Sequence, residues 1–283
     1  MIYKKTNKKW ERIGESSECN FEIDEIQSED LYAAYTVQAY RILKDKKIYS
    51  TYDTHGLSKK NYLYEDSRIL FEGDSIVYGR YDESDKPGIV NYPQRIGELL
   101  GCHVENKAVS GSTLGPVISR EKNSIYYRLI TGKVQYAGYD AIIIGIGTND
   151  FYKNVELGSF QDSVDEDSFY GYLKFIVEQI RQQNPEGKIV FVTPIYRGRM
   201  APTSCDVQGY DMKNKLGYTL RQYCKAMKDV SSLYDNVYVY DSEAYNVINK
   251  DNYLYAMYDS LHPTQVYYAK LGNSIAEYLT TVL

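Results

Sequence analysis

Two patterns of hydrophobic and polar positions divide the chain into a small N-terminal part and a larger C-terminal part. Over residues 1–56, short segments rich in Tyr, Val, Ile and Thr alternate apolar and polar positions between polar turns. In one segment, Tyr35, Val37 and Ala39 fall on the same face of an extended chain, which is typical of antiparallel strands. We predict a β module over residues 1–56 and a linker over residues 57–66. The predicted strands lie in KKWERIGES, CNFEID, AAYTVQAYRIL and KKIYSTYD.

From residue 67 onward, short apolar segments alternate with longer segments of helical period. The segment YDAIIIGIG is apolar through its centre, as expected for a parallel strand buried on both faces. The alternation predicts a three-layer α/β/α domain with a doubly wound parallel sheet over residues 67–283. Its strands are predicted in RILFE, HVENKAV, YDAIIIGIG, GKIVFVTPI and NVYVYDS, and its helices in NYPQRIGELLG and over residues 169–180, 216–227 and 263–279.

The first of these strands ends in Gly73-Asp74-Ser75. Sheets of this kind bind ligands at the carboxyl ends of their strands. In one interpretation, Asp74 or Ser75 satisfies nearby backbone amides in an Asx-type turn. In the other, Ser75 is a nucleophile, which requires a base within hydrogen-bond reach and a third group that orients the base.

Three histidines could supply this base. His55 lies in the polar stretch THGLSKK, and His103 begins a predicted strand, where a structural role is expected. Only His262 has a carboxylate three residues upstream, Asp259, so one turn of chain could bring that carboxylate to Nδ1. Pro263 suits the first turn of a helix, so the same residues also fit a helix cap with an incidental histidine.

Two further segments with candidate chemistry follow predicted strands. In GIGTND, Asp150 stands where a dinucleotide-binding fingerprint requires its third glycine, so that fingerprint is absent. Asn149 directly follows the buried strand and could donate its side-chain amide to a developing oxyanion. In AVSGSTLG, Gly111 would let the backbone N–H approach the same position closely.

These four segments, in this order, resemble the sequence blocks of the SGNH (GDSL-type) hydrolase superfamily over residues 67–283. FEGDS matches the first block, AVSGS the second, GTND the third and DSLHP the fifth. The resemblance implies a flavodoxin-like serine esterase in which Ser75 is the nucleophile, Asp259 the orienting acid and His262 the base. It further implies no metal or organic cofactor, an oxyanion hole formed by Ser75, Gly111 and Asn149, and supporting roles for Asp74, Gly147 and Asp150.

The N-terminal part resembles the later strands of a fibronectin type III module whose first two strands are missing. Such modules accompany bacterial extracellular enzymes, often ones that degrade glycans, so the resemblance suggests an extracellular or cell-surface origin. The basic start MIYKKTNKK is not followed by the apolar stretch of a signal peptide.

Composition narrows the partners and cofactors. The net charge of −5 argues against nucleic acid or an anionic membrane as the main partner, and no apolar run is long enough to predict a membrane span. The 4 Cys lack metal-ligand spacing, and 3 His are too few to favour a dedicated multi-histidine metal site. The excess of 32 Tyr over 7 Phe fits either tyrosine used in the core or half-wet, sugar-facing surfaces.

The resemblance to the SGNH hydrolases implies ester hydrolysis through an acyl-enzyme, and its association with a fibronectin-like module and the many tyrosines favours short acyl groups, above all acetyl, on carbohydrate. A lysophospholipase or thioesterase of the same superfamily is the alternative. Two other classes are a non-catalytic glycan-binding module and a metallophosphoesterase, whose motifs require histidines that this chain lacks. The candidate ligands of the metal in a phosphoesterase would be Asp74, Asn149, Asp150 and His262. The sequence does not predict the oligomeric state.

Overall fold

The chain forms two structural units in a computed structural model. The first comprises residues 1–65 with 98–101, and the second comprises residues 66–97 with 102–283. All site residues of the predicted esterase belong to the second unit. The structure describes residues 2–6, 9–15, 34–37, 40–43, 46–49, 57–58, 64, 66–80, 91–118, 120–198 and 209–283.

Short antiparallel strands make up the described part of the first unit. They are β1 (Ile2–Thr6), β2 (Lys9–Gly14), β3 (Ala34–Val37), β4 (Tyr40–Leu43), β5 (Lys46–Tyr49) and β6 (Leu57–Ser58). Four form a sheet in the order β2-β1-β3-β6, and β4 pairs with β5. The predicted segment AAYTVQAYRIL thus contains two strands, and β6 lies within the stretch predicted as linker. The strand predicted in CNFEID and the candidate His55 lie outside the described residues, and the fibronectin-like identity of the module stays a prediction.

A five-stranded sheet organises the second unit. Its strands are β7 (Arg68–Gly73), β8 (His103–Asn106), β9 (Ala141–Gly145), β10 (Lys188–Val192) and β11 (Val237–Tyr240). Their order is β11-β10-β9-β7-β8, and every neighbouring pair is parallel. The strand order runs out from β7 in both directions, which confirms the predicted doubly wound parallel sheet. The carboxyl ends of all five strands therefore meet at one edge.

Helices follow the strands and cover both faces of the sheet. Their bounds are α1 (Ser75–Tyr78), α2 (Tyr92–Leu100), α3 (Ile125–Ile130), α4 (Thr148–Tyr152), α5 (Phe169–Gln183), α6 (Leu220–Ser231), α7 (Ser242–Tyr245), α8 (Tyr253–Ala256) and α9 (Gln265–Val282). On one face, Leu70 and Ile142 join a buried cluster with apolar side chains of α5 and α6. On the other, the ring of Phe71 contacts that of Tyr92 in α2, with centroids 6.0 Å apart. No helix among the described residues is both long enough and apolar enough to cross a bilayer.

Two helices start later than their apolar spacing predicts. The helix expected from residue 216 begins at Leu220. Thr219 caps it, because its Oγ1 accepts the Gln222 N–H at 3.3 Å while Gln222 Oε1 accepts the Thr219 N–H at 2.8 Å. Leu216 lies before this cap and is 47% exposed. The last helix likewise begins at Gln265 and not at Pro263, so His262 stands in a loop.

Many tyrosines serve as core aromatics that keep a polar tip. Tyr92, Tyr136, Tyr223, Tyr240 and Tyr268 are among the largest fully buried side chains. The hydroxyl of Tyr240 donates to Ser274 Oγ at 2.7 Å, and that of Tyr268 donates to the Arg80 carbonyl at 2.6 Å. For these residues, the tyrosine excess reflects the use of tyrosine in the core, which is the first of the two interpretations.

Candidate active site

Ser75 stands at the sharp turn between β7 and α1. The backbone of Gly73 adopts φ +152°, and a side chain there would collide with the Gly145 carbonyl of the neighbouring strand. Asp74 caps α1 by accepting the Ile76 N–H at 2.8 Å. The Asx-type cap and the displayed serine thus coexist: Asp74 holds the turn, which places Ser75 at the carboxyl edge of the sheet.

His262 and Asp259 complete a hydrogen-bonded chain with Ser75. The Oγ of Ser75 lies 2.8 Å from Nε2 of His262, and Nδ1 of His262 lies 2.7 Å from Oδ2 of Asp259. Ser75 is 5% exposed and His262 is 4% exposed, so water competes little for these bonds. The three groups have the connectivity of a nucleophile, a base and the group that orients the base.

A short loop rather than a helix turn fixes the histidine. Asp259 Oδ1 accepts the backbone N–H of Leu261 at 3.1 Å and that of His262 at 2.7 Å. The Tyr258 N–H donates to the His262 carbonyl at 3.1 Å, and the two side-chain rings stack at 19° with centroids 5.6 Å apart. These contacts leave the imidazole little freedom to rotate away from Ser75.

The Asp259 carboxylate stays ionised at any pH at which the protein would work. Burial by itself raises its pKa, but the hydrogen bonds from the ring and backbone N–H of His262, together with its charge, lower the pKa to about 2. An ionised acceptor favours the tautomer of His262 that carries its proton on Nδ1. That tautomer leaves Nε2 free to accept a proton from Ser75.

The two remaining predicted segments meet each other at the edge of the sheet that carries Ser75. Gly111 adopts φ +77°, a left-handed conformation in which glycine is favoured. Asn149 donates through Nδ2 to the carbonyl of Ser112 at 2.9 Å, which ties its amide to the Gly111 loop. Among the described residues, the backbone N–H groups of Ser75 and Gly111 donate to no protein acceptor. Two backbone donors and one side-chain amide are therefore held at the same edge of the sheet.

The supporting residues predicted from the sequence hold these segments in place. Gly147 adopts φ +113° and caps α4, where a side chain would come within 3.0 Å of Pro194. Asp150 is fully buried, and its Oδ1 accepts the Leu114 N–H at 2.8 Å. The helix that carries Asn149 is thereby joined to the loop that carries Gly111.

Two buried acids near the site carry raised pKa values. Burial raises the pKa of Asp74 to about 6 and that of Asp150 to about 7, with backbone hydrogen bonds acting in the opposite direction. Oδ2 of Asp150 has no hydrogen-bond partner among the described residues. Ionising this carboxyl in the folded protein therefore costs free energy that the solvated, unfolded chain does not pay.

We predict that Asp150 makes the protein less stable as pH rises. Its folded pKa of about 7 exceeds the ordinary value of 3.8, so between these values the folded state binds more protons than the unfolded state. The free energy of unfolding then falls as pH increases through this window and levels off above it. Asp150→Asn, which keeps an acceptor for Leu114, should show a smaller fall in melting temperature between pH 5 and pH 8. Identical pH dependence in both proteins would contradict this assignment.

Buried arginines near the site escaped the sequence analysis. Arg197 is 1% exposed, and its Nη1 donates to the carbonyl of Thr148 at 3.0 Å and to its Oγ1 at 2.7 Å. Burial lowers the pKa of Arg197 to about 10, whereas the charges of Asp74 and Asp259 act to raise it. The available signal was a charged residue two positions after the end of the predicted strand GKIVFVTPI.

A second buried cation, Arg128, stabilises the loop that carries Gly111. Arg128 pairs with Glu72, and its Nη1 also donates to Ser112 Oγ at 3.1 Å and to the Asn123 carbonyl at 2.7 Å. Glu72 lies in β7, two residues before Asp74. The sequence places it in a predicted strand but gives no sign of its partner. Arg128 thus connects the strand that leads to Ser75 with the loop that carries Gly111.

His103 lies away from this cluster. It is the first residue of β8 and pairs with Arg68, the first residue of β7, so it stands at the amino edge of the sheet. Its side chain is exposed. The described residues contain no group of three or more His, Cys, Asp or Glu placed to hold a metal ion.

Comparison with known proteins places this fold and site in a family. Residues 71–270 match the model of the GDSL-like lipase/acylhydrolase family. One solved structure is 30% identical, covers 77% of this chain and 98% of its own, and superposes with a TM-score of 0.67. No curated protein matches the sequence.

Two further solved structures have the same fold at lower identity. The aryl esterase of M. smegmatis is 19% identical over 77% of this chain and 100% of its own, with a TM-score of 0.54. Est24, a carbohydrate acetylesterase from Sinorhizobium meliloti, is 18% identical over 77% of this chain and 100% of its own, with a TM-score of 0.53. Because the family model spans more than half of the chain, the chain belongs to the GDSL-like lipase/acylhydrolase (SGNH hydrolase) family and is an ester hydrolase.

Proposed function

We propose that the protein is a serine esterase that removes acetyl groups from carbohydrates through an acyl-enzyme. The observation that carries the mechanism is the continuous chain from Ser75 Oγ through both ring nitrogens of His262 to Asp259, with contacts of 2.8 and 2.7 Å. A hydroxyl is a poor nucleophile at neutral pH unless a base removes its proton as it attacks. In this hydrogen-bonded series, His262 provides that base and Asp259 provides a carboxylate to stabilise the resulting imidazolium.

Each step of the reaction has an assigned group. Ser75 Oγ attacks the ester carbonyl while its proton passes to His262 Nε2, and the Asp259 carboxylate holds the charged ring. The tetrahedral intermediate collapses when His262 returns the proton to the leaving sugar oxygen, which leaves an acetyl-serine. Water then attacks the acetyl-serine by the same route, with His262 again the base, and releases acetate.

Three donors would stabilise the oxyanion of the intermediate. They are the backbone N–H groups of Ser75 and Gly111 and the Nδ2 amide of Asn149. The hydrogen bond from Asn149 to Ser112 uses one proton of that amide and leaves the second available. Because these donors are held by backbone turns, they need little reorganisation when negative charge develops on the carbonyl oxygen.

We predict that Asn149→Ala lowers kcat for 4-nitrophenyl acetate by about 10²–10³-fold, the usual effect of removing one oxyanion donor. KM should change much less, because the donor acts on charge that exists only in the transition state. Steady-state kinetics measure both constants, and thermal unfolding checks that loss of the Ser112 contact leaves the fold intact. If Asn149→Ala raises KM but keeps the wild-type kcat, Asn149 is not a donor of the oxyanion hole.

The choice of an acetylated carbohydrate is supported by the family and by one structural neighbour. Est24, which shares the fold, is a carbohydrate acetylesterase, and the sequence has no long apolar lid segment between its blocks. The test is a series of 4-nitrophenyl esters of increasing acyl length beside acetylated xylan. Highest kcat/KM for acetyl with release of acetate from xylan would support the proposal. A preference for long chains would favour a lysophospholipase, and turnover of acyl thioesters alone would favour a thioesterase.

Activity on 4-nitrophenyl acetate is expected to survive dialysis against EDTA and to be abolished by a serine-directed organophosphate. The reason is that every group in the proposed mechanism is a side chain or backbone amide of this chain. Mass spectrometry should find the organophosphate on Ser75. Loss of activity with EDTA, and its recovery with a divalent cation, would instead favour the metallophosphoesterase.

A further inference from the structure

Two cations converge on the glycine assigned to the oxyanion hole. Lys153, which directly follows α4, donates from Nζ to the Gly111 carbonyl at 2.7 Å. Nη1 of Arg120 lies 2.5 Å from the point that a Cβ on Gly111 would occupy, so the guanidinium rests against the Cα of this residue. A substrate whose carbonyl oxygen binds the Gly111 N–H would therefore have both positive charges close to its remaining atoms.

No acidic side chain of the described residues lies within salt-bridge distance of either cation. Neither Arg120 nor Lys153 forms an ion pair there, whereas Arg128 pairs with Glu72 and Arg221 pairs with Asp211. Burial and the charge of Arg120 lower the pKa of Lys153, whereas the charges of Asp150 and Asp74 act to raise it. The two like charges repel each other, and the buried carboxyls of Asp150 and Asp74 offset this repulsion only from beyond salt-bridge distance. An anion bound in direct contact with both cations would relieve it.

An open cavity of about 630 Å³ gives a ligand access to the pair. This volume falls within the usual range for sites that bind small molecules and is far larger than an acetyl group needs. The side chains of Tyr172 and Val117 form an apolar part of the cavity lining. The cavity also contains Asp167, which accepts the Tyr172 hydroxyl at 2.9 Å, and Glu156, which accepts the hydroxyl of Tyr218.

These features distinguish which anion would fit. The planar guanidinium of Arg120 matches a carboxylate with two parallel hydrogen bonds. Asp167 and Glu156, which line the same cavity, would oppose a doubly charged group such as a phosphate dianion more strongly than a singly charged carboxylate. Since the proposed acyl group is an uncharged acetyl, the carboxylate must belong to the alcohol part of the ester.

We propose that Arg120 and Lys153 form a carboxylate-binding subsite, so that the preferred substrates are acetyl esters of carbohydrates that contain uronic acids. This inference rests on the proposed acetylesterase function and adds the charge of the sugar. The competing explanation is that the two cations only strengthen the oxyanion hole, in which case they would favour all acetyl esters equally.

A pair of matched aryl acetates separates these explanations. In 4-acetoxybenzoate the leaving group carries a carboxylate, and in methyl 4-acetoxybenzoate the same group is neutral. After correction for their rates with hydroxide, wild-type protein should prefer the charged ester. Arg120→Gln should lower kcat/KM for the charged ester by about 10-fold or more, mainly through KM, as expected for loss of a charge-assisted hydrogen bond. The fall for the methyl ester should be clearly smaller.

Arg181→Gln is the matched control for the loss of one positive charge. Arg181 lies in α5 and donates to the Asp235 carbonyl, just before the amino end of β11 and so at the sheet edge opposite Ser75. In Arg181→Gln, the ratio of kcat/KM for the charged ester to kcat/KM for the methyl ester should equal the wild-type ratio. An equal fall on both esters with Arg120→Gln, or no wild-type preference for the charged ester, would overturn the subsite. A wild-type preference for 4-nitrophenyl hemisuccinate over the acetate would place the carboxylate on the acyl side and also overturn it.

A binding measurement keeps this inference separate from the proposed function. Calorimetry with unacetylated oligogalacturonate should show binding that weakens about 10-fold in Arg120→Gln and is unchanged in Arg181→Gln. If the protein binds this oligomer through Arg120 but hydrolyses no acetyl ester, the proposed function fails and the subsite stands. If it hydrolyses neutral acetyl esters but binds no oligogalacturonate, the subsite fails and the proposed function stands.

Discussion

Ser75→Ala is expected to lower kcat for 4-nitrophenyl acetate by about 10⁶-fold, because removing the nucleophile of a triad costs nearly as much as removing the whole triad. Without Oγ, His262 has no hydroxyl to deprotonate, and no acyl-enzyme can form. The fold should persist, because the cap of α1 is made by Asp74 and not by Ser75. Initial-rate kinetics give the loss, and thermal unfolding tests the fold.

Ser231→Ala is the matched control for the loss of a buried serine hydroxyl. Ser231 ends α6, is 7% exposed, and donates from Oγ to the Lys228 carbonyl at 2.9 Å. This variant should keep wild-type kcat and KM. If Ser75→Ala folds and still turns over the ester at a comparable rate, the serine mechanism is wrong. Stoichiometric labelling of the wild type, but not of Ser75→Ala, by an organophosphate would exclude traces of contaminating esterase.

Asp259→Asn should lower kcat by about 10⁴-fold while leaving KM nearly unchanged. The amide oxygen of asparagine can still accept the backbone N–H groups that Asp259 Oδ1 now binds, so the loop should keep its shape. The neutral amide cannot stabilise the imidazolium, and its NH₂ group favours the tautomer in which Nε2 carries the proton. His262 would then be oriented but unable to accept the proton of Ser75.

Asp229→Asn is the control for the loss of a hydrogen-bonded carboxylate elsewhere in the same unit. Asp229 accepts the Tyr170 hydroxyl at 2.6 Å and lies in α6, and its replacement should leave kcat unchanged. Wild-type kcat in Asp259→Asn would show that a different group orients His262. Because the pKa of Asp259 is about 2, the wild-type carboxylate remains ionised throughout the assay range, and the comparison can be made at any pH above about 5.

Local patterns in the sequence predicted the sheet and the ends of its strands. β9 is apolar at every position because it is buried on both faces, and this continuous run identifies a central parallel strand without knowledge of its neighbours. The starts of the helices were less accurate. Apolar spacing continues through Leu216, and only the reciprocal bonds of Thr219 and Gln222 determine that α6 begins at Leu220.

The candidate site was predictable to the extent that its parts are local. Asp259 and His262 are three residues apart, so their contact depends on a single turn of chain. The approach of His262 to Ser75 joins residues 187 positions apart, and was expected only because parallel strands bring their carboxyl ends to one edge and the blocks occur in the family's order. Topology thus supplied the long-range part of that prediction.

The sequence by itself determined the parallel sheet, the displayed Ser75 and the pairing of Asp259 with His262, because each follows from a short-range pattern or from strand order. Only the tertiary structure decided which charges surround them. Arg197 reaches Thr148 across 49 positions, Arg128 reaches Glu72 across 56, and Lys153 meets Gly111 across 42. Long side chains such as these can extend in many directions from the same backbone position. Their partners are therefore selected by packing and desolvation in the folded chain, and neither effect leaves a periodic signal in the sequence.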